Sequence, residues 1–387
     1  MAGYVFSVSK DGWDDICENC IRKGYFTPYS VAVNTHELSE KQRKSRNKVL
    51  AATFGDFVTM QPGDNIYFLS NRKIYGIGVA TQVGNDCKYD NYPNSSALLP
   101  DSELPGEEYL TTKDSKARWV CFFTPSPYFF KQGVDMDDVL RYRPEAFKVL
   151  RAFEGLSFIK IDDNENRALK EYISLENESA YEDISARTFD FDRKHLSRIA
   201  EQNLDKYIMD LSKATSDLEN LEYIKSEMFF ESLLLQLLHT GEVSVFGHWD
   251  YLSHQIIASP FKPLKYIDKI DIFGYQFSEH YDDTPKLIKK YLIIEMKKDS
   301  INKDAISQAM QYVDWVCDEY ASGDYSRVEA YVVGDHVVRN LNEVVEKICQ
   351  RSYISRTHPV QTDCWQNLHL VEYSIDETGV HFNLADL

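Results

Sequence analysis

The sequence predicts a chain of two folded parts: a mixed α+β half, a helical connector, and a C-terminal α/β core. Three observations predict it. Residues 1 to about 175 alternate short strands, turns and helices. Residues 176–225 are charged, carry apolar residues at helical spacing, and contain no proline or glycine. From 226 onward the order is helix, strands, helix, strand, the pattern of an α/β core with a partly parallel sheet. A length of 387 residues suits two or three domains.

The elements follow in order. "YVFSVS" reads as a strand, and "WDDICENCIRKG" as a short helix ended by Gly24. The clearest hairpin is "QPGDNIYFLSNRKIYGIGVATQV": Gly63 and Asp64 open it, "NIYFLS" runs up, Asn71 to Lys73 turn, and "IYGIGVATQV" returns. Gly84 to about Lys116 is rich in Asp, Asn, Pro and Ser and reads as a long surface loop. "ARWVCFFTP" is a strand. "PEAFKVLRAFEG" reads as a helix, with Pro144 in its first turn and Gly155 at its end. In the connector, Leu196, Ile199, Ile208, Leu211, Leu218, Leu221 and Ile224 recur at roughly helical spacing. "EMFFESLLLQLLHTGE" is a helix stopped at Gly241. "KIDIFGYQF" and "KYLIIEMKK" are strands, "DAISQAMQYVDWVCDEY" is a helix, and "VEAYVVGDHV" is a further strand.

Composition limits the function classes. Hydrophobic residues make up 43% and charged residues 27%, as in soluble globular proteins. No apolar stretch approaches the ~20 residues that cross a bilayer. The start lacks the basic region and apolar run of a signal peptide. A cytoplasmic protein with no membrane partner is expected. The seven cysteines are scattered. Cys17 and Cys20 have CxxC spacing, but a zinc site needs a second pair or suitably spaced histidines, so reduced thiols are expected. The formal net charge of -18 argues against nonspecific coating of nucleic acid, which needs dense Lys and Arg. It leaves room for an enzyme with one basic groove. "KQRKSRNK", residues 41–48, is the densest basic run; it reads as a phosphate contact or as a solvated helix face.

One strand carries chemistry. In "YLIIEMKKDS", Glu295 and Lys297 point the same way and Ile294 and Met296 the other, because strand faces alternate with period two. Buried charges must be paired or bound to something, so this is either a salt bridge at a strand end or a metal site. Asp271, between two isoleucines on the preceding strand, can lie beside Glu295. Two carboxylates with waters make a hard-oxygen site for Mg2+ or Mn2+. Such a cation polarises a scissile phosphate, and Lys297 can orient water or stabilise developing charge.

Asp271 followed by Glu295-Met296-Lys297 resembles the PD-(D/E)XK nuclease motif, with Ile270 where the family's proline would stand. "IDIFG... LIIEMKKDSINKDAISQAMQYVDWV" resembles the nuclease domain of NucS-type endonucleases and RecB-like relatives, and "FFESLLLQLLHTGE" resembles an Mrr-like start. The resemblance covers about residues 226–340. It implies a restriction-endonuclease-like core over 226–387. It assigns Asp271, Glu295 and Glu231 to the metal, Mg2+ or Mn2+, with Glu227 as the rival to Glu231. Lys297, Gln308 and Tyr312 complete the catalytic set, the last two on one helical face by their i,i+4 spacing.

Over residues 1–175, "FGDFVTMQPGDNIYFLSNRKIYGIGVATQV" resembles the PUA-like fold, in particular EVE and YTH-type domains. "SRNKVL" and "AFKVLRAFEGLSFIKIDDNE" resemble further segments of EVE domains. The resemblance implies a β-barrel with helices that reads a modified base. Its candidate nucleic-acid residues are Arg46, Asn47, Ser70 and Asn71, with Trp119 and Tyr128 as aromatic walls; ordinary core is the alternative for the aromatics.

The expectation is a metal-dependent DNA endonuclease, a homodimer acting on base-modified DNA in restriction or anti-phage defence. Two alternatives stand beside it: a catalytically silent nucleic-acid-binding or sensor protein, and a structure-specific repair nuclease.

Overall fold

In the computed structural model, the described residues are 1–9, 12–28, 53–93, 108–112, 117–152, 158–209, 227–258, 268–278, 286–339, 341–376 and 379–385. Arg46, Asn47 and the basic run 41–48 lie outside them, as does the connector beyond residue 209. The chain divides into two compact units, Met1–Leu211 and Ser212–Leu387. Both are mixed α/β. Among the described residues no helix is long and apolar enough to cross a membrane.

The first unit is built on one curled sheet. Its strands are β1 (Gly3–Ser7), β2 (Tyr25–Phe26), β3 (Asn65–Ser70), β4 (Lys73–Ala80), β5 (Lys88–Asp90), β6 (Trp119–Pro125), β7 (Val134–Asp135) and β8 (Phe158–Ile161). The main path runs β2-β6-β4-β3-β1-β8, with β5 on β6 and β7 on β4. β1 and β3 are parallel. The hairpin of β3 and β4 turns on Asn71 and Arg72, at φ 50° and 61°, the left-handed pair that matches the twist of a two-residue hairpin. Helix α1 (Met136–Tyr142) and helix α2 (Asp163–Glu176) follow β7 and β8. The side chains of Ala168, Leu169 and Ile173 on α2 join Val5, Tyr67, Ile77 and Ile161 of the sheet in one core. Tyr4 and Phe6, the neighbours of Val5, face a second, aromatic core with Phe26, Phe68 and Phe158.

Three expected elements differ. The helix expected from Pro144 gives way to turns and a short 3-10 segment at Leu150–Ala152. The Glu165 carboxylate takes the backbone N–H groups of Lys148 and Val149, each at 2.6 Å, and of Leu150 at 3.1 Å. Those donors are then lost to helical bonding. The loop from Gly84 contains β5, held because Tyr89 packs on Phe122 and pairs with Val120. The described part of the connector is four short pieces rather than one long helix, among them α3 (Arg193–Ala200). Asp183, Asp192 and Asn203 each accept a backbone N–H at the start of a piece. Side chains of this type compete with continued helix. These pieces belong to the first unit: Phe189 N–H bonds to Phe129 O, and Asp192 N–H to Arg22 O.

The second unit holds a six-stranded sheet of β9 (Tyr251–Ile257), β10 (Lys269–Phe277), β11 (Ile288–Met296), β12 (Val328–Gly334), β15 (Leu368–Asp376) and β16 (Gly379–Leu384). Strands β13 (Arg351–Thr357) and β14 (Val360–Trp365) form a separate hairpin. The order is β16-β15-β12-β11-β10-β9. β12 runs parallel to both β11 and β15, and the other neighbours are antiparallel. Parallel neighbours need a crossover, and between β11 and β12 it is α5 (Lys303–Glu319). Helix α4 (Glu227–Thr240) covers one face, packing Phe230, Leu234 and Leu238 on Ile272, Leu292, Ile294 and Met296. The last helix, α6 (Asn342–Ile348), precedes the hairpin. With cover on both faces, the β11 run from Tyr291 to Met296 is buried throughout.

Candidate active site

The central strands set the site by register. Ile272 pairs with Ile294 on β11 and with His254 on β9. One step along, the same register sets Asp271 opposite Glu295 on one side and opposite Gln255 on the other. Directly opposite residues share a face and lie within side-chain reach. Gln255, Asp271 and Glu295 therefore form a row across three strands.

Asp271 is tied at both oxygens. Its Oδ2 accepts the Met296 N–H at 2.7 Å, and its Oδ1 lies 3.4 Å from Gln255 Nε2. Glu295 is fully buried. Lys297, just past the end of β11, donates to its Oε1 at 2.5 Å. Glu295 Oε2 is buried without a hydrogen-bond donor. Burial, and then the charge of Asp271, push the Glu295 carboxyl up to about 8, against the pull of Lys297.

Helix α5 completes the far side. Lys297 Nζ reaches Gln308 Oε1 at 3.2 Å, and Gln308 Nε2 donates to the Tyr312 hydroxyl at 2.8 Å. The i,i+4 spacing makes this relay possible. Burial raises the Tyr312 hydroxyl well above its ordinary range, so it stays protonated. Glu231 is 2% exposed on α4. Gln255 links it to the row, its Nε2 donating to Glu231 Oε2 at 3.0 Å. The side chain of Glu227 lies outside the described residues.

The structure thus joins Asp271, Glu295, Lys297, Gln308 and Tyr312 in one contact chain and brings Glu231 to its edge. Among the described residues no group of three or more His, Cys, Asp or Glu side chains could hold a metal ion. The donors that do meet are two carboxylates, Asp271 and Glu295. They fit Mg2+ or Mn2+, which need only one or two carboxylates besides water and substrate oxygens. The donorless Oε2 of Glu295 is the atom such an ion would satisfy. Gln255 escapes a reading of the sequence, because a lone glutamine in a strand carries no motif.

In the first unit the described candidates, Ser70, Asn71, Trp119 and Tyr128, lie in different surroundings. Trp119 is fully buried, packed on Phe54 and Phe57. Ser70 is buried at the end of β3, and Asn71 is exposed at the hairpin turn. Tyr128 alone lines a cavity of about 420 Å3, with Pro125, Phe129, Phe189, Phe191 and Arg193. Cys17 and Cys20 are not joined in a disulfide, and burial pushes Cys20 up to about 12, which lowers its reactivity.

No protein-family model matches the chain, and no curated protein does.

Proposed function

We propose that the chain is a metal-dependent DNA endonuclease of the PD-(D/E)XK type, with its reaction centre at Asp271, Glu295 and Lys297. The observation that carries this reading is Asp271 beside the buried Glu295 across β10 and β11, with the Lys297 amine on the same Glu295 carboxylate. An ion pair serving only stability would not need a second carboxylate beside it, because like charges disfavour one another.

Asp271 and Glu295 would hold Mg2+ or Mn2+. When bound, that ion supplies Lewis-acid polarisation of the scissile phosphate and a more acidic water. Lys297 Nζ donates to Glu295 Oε1 and to Gln308 Oε1. From there it orients the attacking water or stabilises charge developing on phosphate oxygens. Gln308 and Tyr312 fix the amine's direction through their own hydrogen bond. Glu231 supports the site from its edge.

The first unit is read as a PUA-like module that recognises the nucleic acid. The aromatic cavity at Tyr128, Phe189 and Phe191, with Arg193 on its lining, suits a base stacked on aromatic rings. A base reader joined to a nuclease suggests modification-dependent restriction or anti-phage defence by a cytoplasmic homodimer.

The test is cleavage of plasmid, unmodified duplex, base-modified duplex and RNA with Mg2+ or Mn2+. Phosphodiester cleavage of DNA that stops with EDTA supports the reading. Tight DNA binding with no cleavage under any cation favours the silent nucleic-acid-binding protein. That second reading draws on the two-carboxylate state of the site among the described residues.

A further inference from the structure

Gln255 has a backbone that its neighbours do not explain. Its φ is 53°, a region that residues with a side chain rarely adopt. The other non-glycine residues of positive φ among the described ones, Asn71, Arg72 and Ser322, sit in turns. Gln255 sits inside β9. The strand keeps one register on both sides of it, with Ile256 opposite Ile270 and His254 opposite Ile272, so no extra residue forces the kink. Outliers of this kind persist where surrounding structure demands them, and they gather at functional sites.

The unusual backbone accompanies one specific set of contacts. The Gln255 amide Nε2 lies 3.0 Å from Glu231 Oε2 and 3.4 Å from Asp271 Oδ1. One neutral amide thus bridges two acidic side chains from two different elements. Beside it, Glu295 Oε2 is buried with no donor. The bridge answers a repulsion: Glu231 and Asp271 held this close need a donor between them. It also explains why three acidic residues of one region do not gather as three.

We propose that Gln255 is a positioning residue whose amide stands in for a divalent cation between Glu231 and Asp271, and that releasing this amide lets Glu231 join Asp271 and Glu295. The proposal rests on the reading of Asp271 and Glu295 as a cation site. In this arrangement Gln255 sets how tightly the cation is held. The amide keeps the cation-free carboxylates apart from one another and competes with the ion for them. Its removal takes this one competitor away.

The test is Mn2+ binding to the full-length protein, by calorimetry and by the loss of the free Mn2+ electron-paramagnetic-resonance signal. Wild type is compared with Gln255→Gly, Gln255→Asn and Asp271→Ala. Glycine accepts the left-handed backbone and removes the amide. Asparagine also tolerates that backbone, and its shorter side chain cannot bridge both acids; it carries the same expectation should the glycine variant fail to fold. The expected result is Mn2+ binding about tenfold tighter in both Gln255 variants, because hydrogen bonds to charged groups no longer have to be broken, with binding lost in Asp271→Ala. Equal or weaker binding in the Gln255 variants, with wild-type binding still lost in Asp271→Ala, overturns the proposal and leaves the cation site standing. If Asp271→Ala changes nothing, or if no form binds Mn2+, the cation reading falls and the proposal falls with it.

Discussion

Lys297 and Glu295 make a 2.5 Å ion pair in which one partner is fully buried and the other keeps its side chain 28% exposed. The asymmetry matters. A lysine that reaches out of the protein while holding a buried carboxylate can meet a substrate phosphate. A lysine serving the pair alone gains nothing from staying exposed. The same amine is steered by Gln308, and Gln308 by Tyr312, so its direction is fixed before any ligand arrives.

Lys297→Met is expected to lower cleavage by about 10²–10³-fold, the usual loss when one preorganised donor to developing charge is removed. Methionine keeps the length and removes the charge. Single-turnover kinetics with saturating DNA checks it, because a binding defect alone would leave that rate unchanged.

Glu295→Gln is expected to raise the melting temperature of the metal-free protein while abolishing cleavage. The carboxyl is raised to about 8 by burial and by Asp271, so near neutral pH folding must take up a proton or bury a charge, a cost that the amide removes. Stability gained at the expense of function is the signature of a site kept under strain. Thermal melts of both proteins at pH 7.5, without divalent ions, are the measurement.

The sign of the pH dependence follows from the same group. Its folded pKa, about 8, lies above the ordinary value of 4.5. The folded state therefore binds the extra proton, and that stabilisation is full below 4.5 and is lost as pH rises to 8. Cation binding runs the other way, since the ion competes with the proton. Mn2+ affinity is expected to rise by about tenfold per pH unit below 8 and to level off above it. Calorimetric titrations between pH 6 and 9 read the slope directly.

In the first unit, two substitutions separate core from cavity. Trp119→Ala is expected to destabilise the protein by about 3–5 kcal/mol, as for other fully buried aromatic residues, measured by urea unfolding. Phe189→Ala, on the cavity lining, is expected to weaken DNA binding with little change in melting, because that side chain is only half-buried. Fluorescence anisotropy with a labelled duplex reads the second.

The second unit was legible where periodicity and packing agree. Glu295 and Lys297 fall on one face because a strand alternates, and Gln308 and Tyr312 meet because a helix turns. Both are local rules, and the contacts obey them. Elements fixed by distant partners were not legible. The stretch after Pro144 has helical spacing, but its N–H groups are claimed by Glu165. The connector has no helix breaker of the usual kind, yet aspartates and an asparagine cap it into short pieces. β9 went unread, and the contacts of Gln255 on it go with a φ no sequence pattern announces. Trp119 shows the limit of reading aromatics: the residue type suits a pocket wall or a core, and only its neighbours Phe54 and Phe57 decide.

The decisive question is whether Asp271, the buried Glu295 and Lys297 cut DNA. The most direct measurement is cleavage of unmodified and base-modified duplex with Mg2+ or Mn2+ by wild type, Glu295→Ala and Lys297→Ala. The account predicts that wild type cuts and that both variants fail while keeping their fold by circular dichroism. Variants that cut as well as wild type would contradict it, and would reduce Glu295 and Lys297 to a salt bridge at a strand end.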